Sequence, residues 1–298
     1  MSEPGIHHQT FWSQIADLPH VLEFPVIDGI RTRVLRIGEG RPDENRQTIV
    51  MMAGTSGHIE AYTHNIRALA AKYRIVAYDY PGHGYSTLVA GGTLEIADYA
   101  RHLFALLDHY GLDRPHLCGE SLGGWIALKV AREHPERFAS LILSAPGGRM
   151  IADDRLNKTQ SVSTDAVADP TWENVKARLN VVIHDADHIS DELIAIRKAV
   201  YSRPGFAASM KAIGALRTPE IRRRNAVTDD DYAAQKLPAL LVWTDHEPSG
   251  DPETGRHLAE LMPHGRFLLV EDAAHWPQWE NPDLFNGAVL RFLEGMTA

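Results

Sequence analysis

The stretch Gly119-Glu120-Ser121-Leu122-Gly123-Gly124 constrains this chain more than any other. It stands between a short apolar run, Pro115–Gly119, that reads as a strand, and Leu122–Glu133, whose pattern reads as a helix. A serine on so sharp a strand-to-helix turn takes a strained backbone conformation. The positions around it must be glycine for the turn to close against its neighbours. The first N–H groups of the helix are unpaired and lie beside the hydroxyl. Ser121 is therefore the candidate nucleophile.

The rest of the chain supplies the sheet that such a turn needs. Short apolar runs at Thr48–Ala53, Arg74–Tyr80, Pro115–Gly119, Ser140–Ala145, Pro238–Thr244 and Arg266–Glu271 read as strands. Helical patterns alternate with them, which predicts a mostly parallel sheet covered on both faces. Arg31–Arg36 adds an earlier antiparallel strand. One helix carries Ile59, Tyr62, Ile66 and Leu69 on a face, and another carries Tyr99, Leu103, Leu106, Leu107 and Tyr110. A last helix starts at Pro282 with Asn281 as its cap, and turns Leu284, Phe285, Val289 and Phe292 inward. Residues 147–235 break the alternation. They offer helices near Pro170 and after Ser190 but no strand, and read as a helical cap inserted between core segments 1–146 and 236–298.

Composition narrows the partners. The 298 residues are 44% hydrophobic and 23% charged, enough apolar material for a large core. The net charge of −9 repels phosphate backbones, so no nucleic acid is expected. One cysteine, Cys118, excludes an internal disulfide. Neither a secretory signal nor a long apolar span is visible, so a cytoplasmic protein without membrane contact is expected. The sixteen histidines are scattered without metal-ligand spacing, so neither metal nor cofactor is expected. Arg222-Arg223-Arg224, with Arg217 nearby, reads as a solvated helix face.

A serine hydroxyl needs a base to take its proton. His275 follows the last strand, where this strand order places a base. The acid belongs between nucleophile and base, after Pro238–Thr244. Glu247 is favoured there, with Asp245 and Asp251 as alternatives. The oxyanion donors are the N–H of Leu122 and the N–H of Thr55, in the loop Gly54-Thr55-Ser56-Gly57.

Three pieces together resemble the α/β-hydrolase family. They are Ala53-Gly54-Thr55-Ser56-Gly57, Asp79-Tyr80-Pro81-Gly82-His83-Gly84-Tyr85-Ser86, and the turn around Ser121. The resemblance implies a mostly parallel eight-stranded sheet with helices on both faces and a helical cap. Within the family the chain is most similar to the meta-cleavage product hydrolases, through Pro146-Gly147-Gly148, His275-Trp276-Pro277-Gln278-Trp279-Glu280, and Asp191-Glu192-Leu193 leading to Arg197. That likeness implies cleavage of a carbon–carbon bond in a vinylogous diketone during aromatic-compound degradation. It also implies that Arg197 binds the substrate carboxylate, that Trp276 lines the pocket with Gly54 and Glu120, and that the chain forms a homodimer. The chain departs from the pattern at Ala53, where His is usual, at Glu120, where Asn is usual, and at Glu247, where Asp is usual. A carboxylesterase or lactonase with the same triad is the alternative, and a non-catalytic ligand receptor is a further one.

Overall fold

A computed structural model describes residues 9–38, 46–150 and 162–296. Ten strands are numbered in chain order: β1 His20–Glu23, β2 Val26–Ile27, β3 Ile30–Arg31, β4 Val34–Ile37, β5 Thr48–Met52, β6 Arg74–Tyr78, β7 His116–Glu120, β8 Ser140–Ser144, β9 Ala239–Thr244 and β10 Gly265–Val270. Eight of them form one sheet in the order β1-β4-β6-β5-β7-β8-β9-β10. β4 runs antiparallel to both β1 and β6, and the remaining pairs are parallel. The α/β class with a mostly parallel sheet of eight strands is thus what the chain adopts.

The central strands are buried along their whole length, and their side chains alternate between two cores. In β5, Ile49 and Met51 pack into one, while Val50 and Met52 pack into the other. Ile142 and its neighbours Leu141 and Leu143 divide in the same way. A shift of one residue in pairing would exchange the two cores, so the register is strongly specified.

Two details differ from the sequence reading. Arg31–Arg36 is not one strand: β3 pairs with β2 in a separate hairpin, and β4 begins at Val34. Between them Thr32 N–H donates to Pro25 O, and Arg33 N–H donates to Ser86 Oγ at 2.9 Å, so neither joins a ladder. In the last helix, Pro282–Glu294, Phe285, Val289 and Phe292 form the inward stripe at helical spacing. Leu284 falls outside it and is exposed.

Between β8 and β9 the described residues form helices only, including Trp172–Leu179, Asp191–Tyr201, Phe206–Gly214 and Pro219–Asn225. The Thr171 hydroxyl caps the first by accepting from Asn174 N–H, and the Ser190 hydroxyl caps the second by accepting from Leu193 N–H. These helices lie on the C-terminal edge of the sheet. Ser209 Oγ donates to Gly82 O at 3.0 Å, and His275 N–H donates to Val182 O at 3.0 Å. Among the described residues no helix is long and apolar enough to cross a membrane.

Candidate active site

β7 delivers Ser121 to the sheet edge at φ 52° and ψ −108°, a left-handed conformation strained for a residue with a side chain. Ser121 N–H donates to Ser144 O at 3.0 Å, and Ser121 O accepts from Gly147 N–H at 2.9 Å. The glycines are steric requirements. A Cβ on Gly123 would lie 2.1 Å from Met52 O, and one on Gly119 would lie 2.3 Å from the Gly123 carbonyl carbon. Leu122 opens the helix Leu122–Glu133, so its N–H has no partner within the helix.

The three carboxylates after β9 separate by their partners. Asp245 accepts from Asp272 N–H at 3.0 Å and Ala273 N–H at 3.2 Å, tying β9 to the loop that carries His275. Asp251 caps the helix Pro252–Leu261 by accepting from Thr254 N–H. Glu247 is buried and lies 2.7 Å from His275 Nδ1 through Oε2, while its Oε1 accepts from Ser249 N–H at 2.9 Å. With an ionised carboxylate as partner, Nδ1 carries the proton and Nε2 faces the cavity.

Nε2 is engaged by a second carboxylate. Glu120, buried at the end of β7, places Oε1 3.3 Å from it. The same carboxylate fills the space over Gly54, where a Cβ would meet Glu120 Oε2 at 2.4 Å. Burial opposes the charged imidazolium, but Glu247 and then Glu120 outweigh it and push His275 up to about 9. Burial also raises the Glu120 carboxyl, against the pull of His275, the Gly54 N–H and Arg197.

Gly54, Thr55, Glu120, Ser121, Leu122, Arg197, Glu247, His275 and Trp276 all line one cavity between sheet edge and inserted helices. The structure therefore brings these nine candidates to one cavity, while the alternative acids Asp245 and Asp251 are not among its lining residues. Arg197, 1% exposed, forms no surface ion pair with Asp191 or Glu192. Its guanidinium lies 5.3 Å from the Trp276 ring, and Nη1 donates to Tyr201 Oη at 3.0 Å. Its Nε and Nη2 are buried without a partner.

Four more arginines line the cavity: Arg149, Arg178, Arg217 and Arg222. The solvated reading of the basic run fails at Arg222, which is buried, while Arg223 and Arg224 are exposed. Consecutive helical residues point about 100° apart, so such a run cannot occupy one face. The sequence reading missed Arg178, which shares the buried stripe of Val175 and Leu179 at helical spacing. Burial, then the neighbouring Arg197 and Arg217, bring the Arg178 guanidinium down to about 10. Burial alone would raise the Tyr201 phenol, yet Arg197 and Arg178 bring it below its ordinary value. The cavity is electropositive.

As to metal ligands among the described residues, only the exposed Asp245, His246 and Asp272 bring ligand atoms within 4.8 Å of one another. Asp245 is already committed to main-chain donors there.

A profile of the alpha/beta hydrolase fold matches residues 47–282. The 2-hydroxy-6-oxononadienedioate/2-hydroxy-6-oxononatrienedioate hydrolase of Paraburkholderia phymatum is 30% identical over 87% of this chain and 91% of its own. The 2-hydroxy-6-oxo-6-phenylhexa-2,4-dienoate hydrolase of Burkholderia cepacia is 29% identical over 83% of this chain and 87% of its own. The solved structure of 2-hydroxy-6-oxo-6-phenylhexa-2,4-dienoate hydrolase from Rhodococcus sp. strain RHA1 shares the fold, with a TM-score of 0.78 at 18% identity, covering 93% of this chain and 99% of that one. The chain is a hydrolase that belongs to the α/β-hydrolase fold family and, within it, to the meta-cleavage product hydrolases.

Proposed function

We propose that this enzyme hydrolyses a carbon–carbon bond in a vinylogous 1,5-diketone made by ring opening of a catechol. The observation that carries this reading is a serine elbow and a His275–Glu247 pair of 2.7 Å in one cavity with the buried, half-unpartnered Arg197. The names of both relatives contain a 2-hydroxy-6-oxo dienoate unit.

In such a substrate Arg197 holds the carboxylate beside the enol. A keto–enol shift moves the enol proton to C5, so that C5 can leave. Ser121 Oγ attacks the C6 carbonyl as His275 Nε2 takes its proton. The N–H groups of Thr55 and Leu122 stabilise the oxyanion. When C5–C6 breaks, its electron pair runs through the conjugated chain to the C2 oxygen, which takes the proton from His275. Water, deprotonated by His275, then releases the acyl group from Ser121 as a carboxylic acid. The described part of residues 147–235 serves as the cap that excludes bulk water, and 151–161 of that span lie outside the described residues. A cytoplasmic location, a homodimer and a small molecule as the partner belong to the same reading.

Glu120 favours a second reading, an esterase or lactonase, since a carboxylate on Nε2 is not what the carbon–carbon enzymes carry there. A coloured ring-opened dienoate and a simple aryl ester, assayed side by side, separate the two. The proposal requires loss of the dienoate chromophore with release of two acids. Rapid ester hydrolysis with an untouched dienoate would overturn it.

A further inference from the structure

We infer that Tyr201 and Ser56 are positioning residues that join Arg197 to the oxyanion loop, so that one buried link sets both ends of the site. The inference rests on the reading in which Arg197 takes a substrate carboxylate, and it adds what aims that arginine and what steadies Thr55.

The link crosses from cap to core through three buried side chains. Arg197 is 1% exposed, Tyr201 3% and Ser56 0%. Arg197 and Tyr201 stand four apart on the helix Asp191–Tyr201 and so share a face. Arg197 Nη1 donates to Tyr201 Oη at 3.0 Å, and Tyr201 Oη lies 3.1 Å from Ser56 Oγ. A guanidinium only donates, so the phenol oxygen accepts from it and keeps its own hydrogen for Ser56. Arg197 lines the cavity, whereas Tyr201 and Ser56 are not among the described lining residues. Both therefore act through Arg197 and Thr55 rather than on a substrate.

Each end of the link does something that packing does not require. The guanidinium is a planar fork. With Nη1 held by Tyr201, the edge left without a partner is the one that carries Nε and Nη2. Those two donors match the two oxygens of a carboxylate. A phenylalanine at 201 would keep the stack on Phe206, at 5.2 Å between ring centres, but would let the fork turn. At the other end, Ser56 sits at φ 57° in a turn closed by Gly57 N–H donating to Gly54 O at 2.9 Å. That backbone is easy for glycine and strained for serine. A serine there is explained by its hydroxyl, which Tyr201 engages. Thr55, the oxyanion donor, is the preceding residue, so fixing Ser56 restrains it. A carboxylate held by Arg197 thus steadies the oxyanion donor across the site.

The test uses Tyr201→Phe, Ser56→Gly and the double variant, with thermal unfolding to show that each is folded. On the coloured ring-opened dienoate, Tyr201→Phe is expected to raise KM and to lower kcat, roughly 10-fold each, because the anchor and the loop both lose their hold. Ser56→Gly is expected to lower kcat roughly 10-fold with KM little changed, and to melt no lower than wild type because the strain is gone. The rate of Ser121 labelling by a fluorophosphonate, whose phosphoryl oxygen takes the oxyanion position, reads the loop without turnover. Each single variant is expected to slow labelling several-fold, and the double variant no more than the slower single, since both cut one link. Losses that multiply in the double variant, wild-type labelling in either folded single variant, or a dienoate KM unmoved by Tyr201→Phe overturn the link. A Ser56→Gly variant that melts well below wild type makes the hydroxyl part of the scaffold and overturns it too. A dienoate left uncleaved by wild type, with labelling losses that do not multiply, overturns the carbon–carbon reading and leaves the link standing.

Discussion

The molecule buries arginines in two places and treats them in opposite ways. Beneath the turn Tyr80–Ser86, Arg33 donates to Glu60 through both terminal nitrogens at 3.1 and 2.7 Å, and Nη1 lies 3.5 Å from Asp79. His58 Nδ1 adds a contact of 2.8 Å to Glu60, and Asp79 accepts from Ile59 and Tyr85 N–H at 2.9 and 2.8 Å. There burial would raise the Glu60 carboxyl, but His58 and Arg33 hold it well below its usual range. In the cavity over Ser121, Arg178 and Arg197 have buried nitrogens with no such partners. A satisfied charge network fixes one shape, whereas an unsatisfied one holds binding energy for a ligand. The first is scaffold and the second is site.

The largest effect tests what the scaffold presents. Ser121→Ala should lower turnover of the preferred substrate by roughly 10⁴-fold or more with an unchanged melting temperature, read by steady-state kinetics and thermal unfolding. Arg33→Met should then break the scaffold network. It leaves Glu60 and Asp79 buried without their cation, so chemical denaturation should show a loss of about 3–5 kcal/mol. Arg178→Met applies the same exchange to the other region and should leave stability unchanged or raise it, because it removes an uncompensated buried charge. Equal destabilisation by these two variants would erase the distinction.

The smallest effect is a displacement in pH. His275 must be neutral to take the serine proton, and its pKa is raised to about 9, so kcat/KM should climb as pH rises toward that value. Glu120 contributes to the raising, since its carboxylate favours the imidazolium. Glu120→Gln should therefore move the ascending limb to lower pH, with a gain at neutral pH if the amide keeps the serine accessible. A pH–rate profile with an unmoved limb would show that Glu120 does not act on the base.

Much of this was legible in the sequence. Strand positions followed from apolar runs, because central parallel strands are buried on both faces and leave no polar alternation to confuse. The proposed nucleophile and base came from the elbow glycines and from the chain position of His275 after β10. Glu247, Asp245 and Asp251 could only be ranked. Choosing among them needed to know which carboxylate meets imidazole, which meets main-chain donors and which caps a helix. The break at Thr32 and Arg33 was hidden, because its cause lies at Glu60 and Ser86, far along the chain. The arginine wall was also hidden. Its members come from separate helices, and only their packing reveals that Arg178, Arg217 and Arg222 share one space.

The most direct test is the reactivity of Ser121 itself. A fluorophosphonate probe, followed by intact-protein mass spectrometry and peptide mapping, should label the wild-type enzyme once, at Ser121, and should not label Ser121→Ala. A wild-type enzyme left unlabelled under those conditions, or labelled elsewhere with Ser121 untouched, would contradict the account.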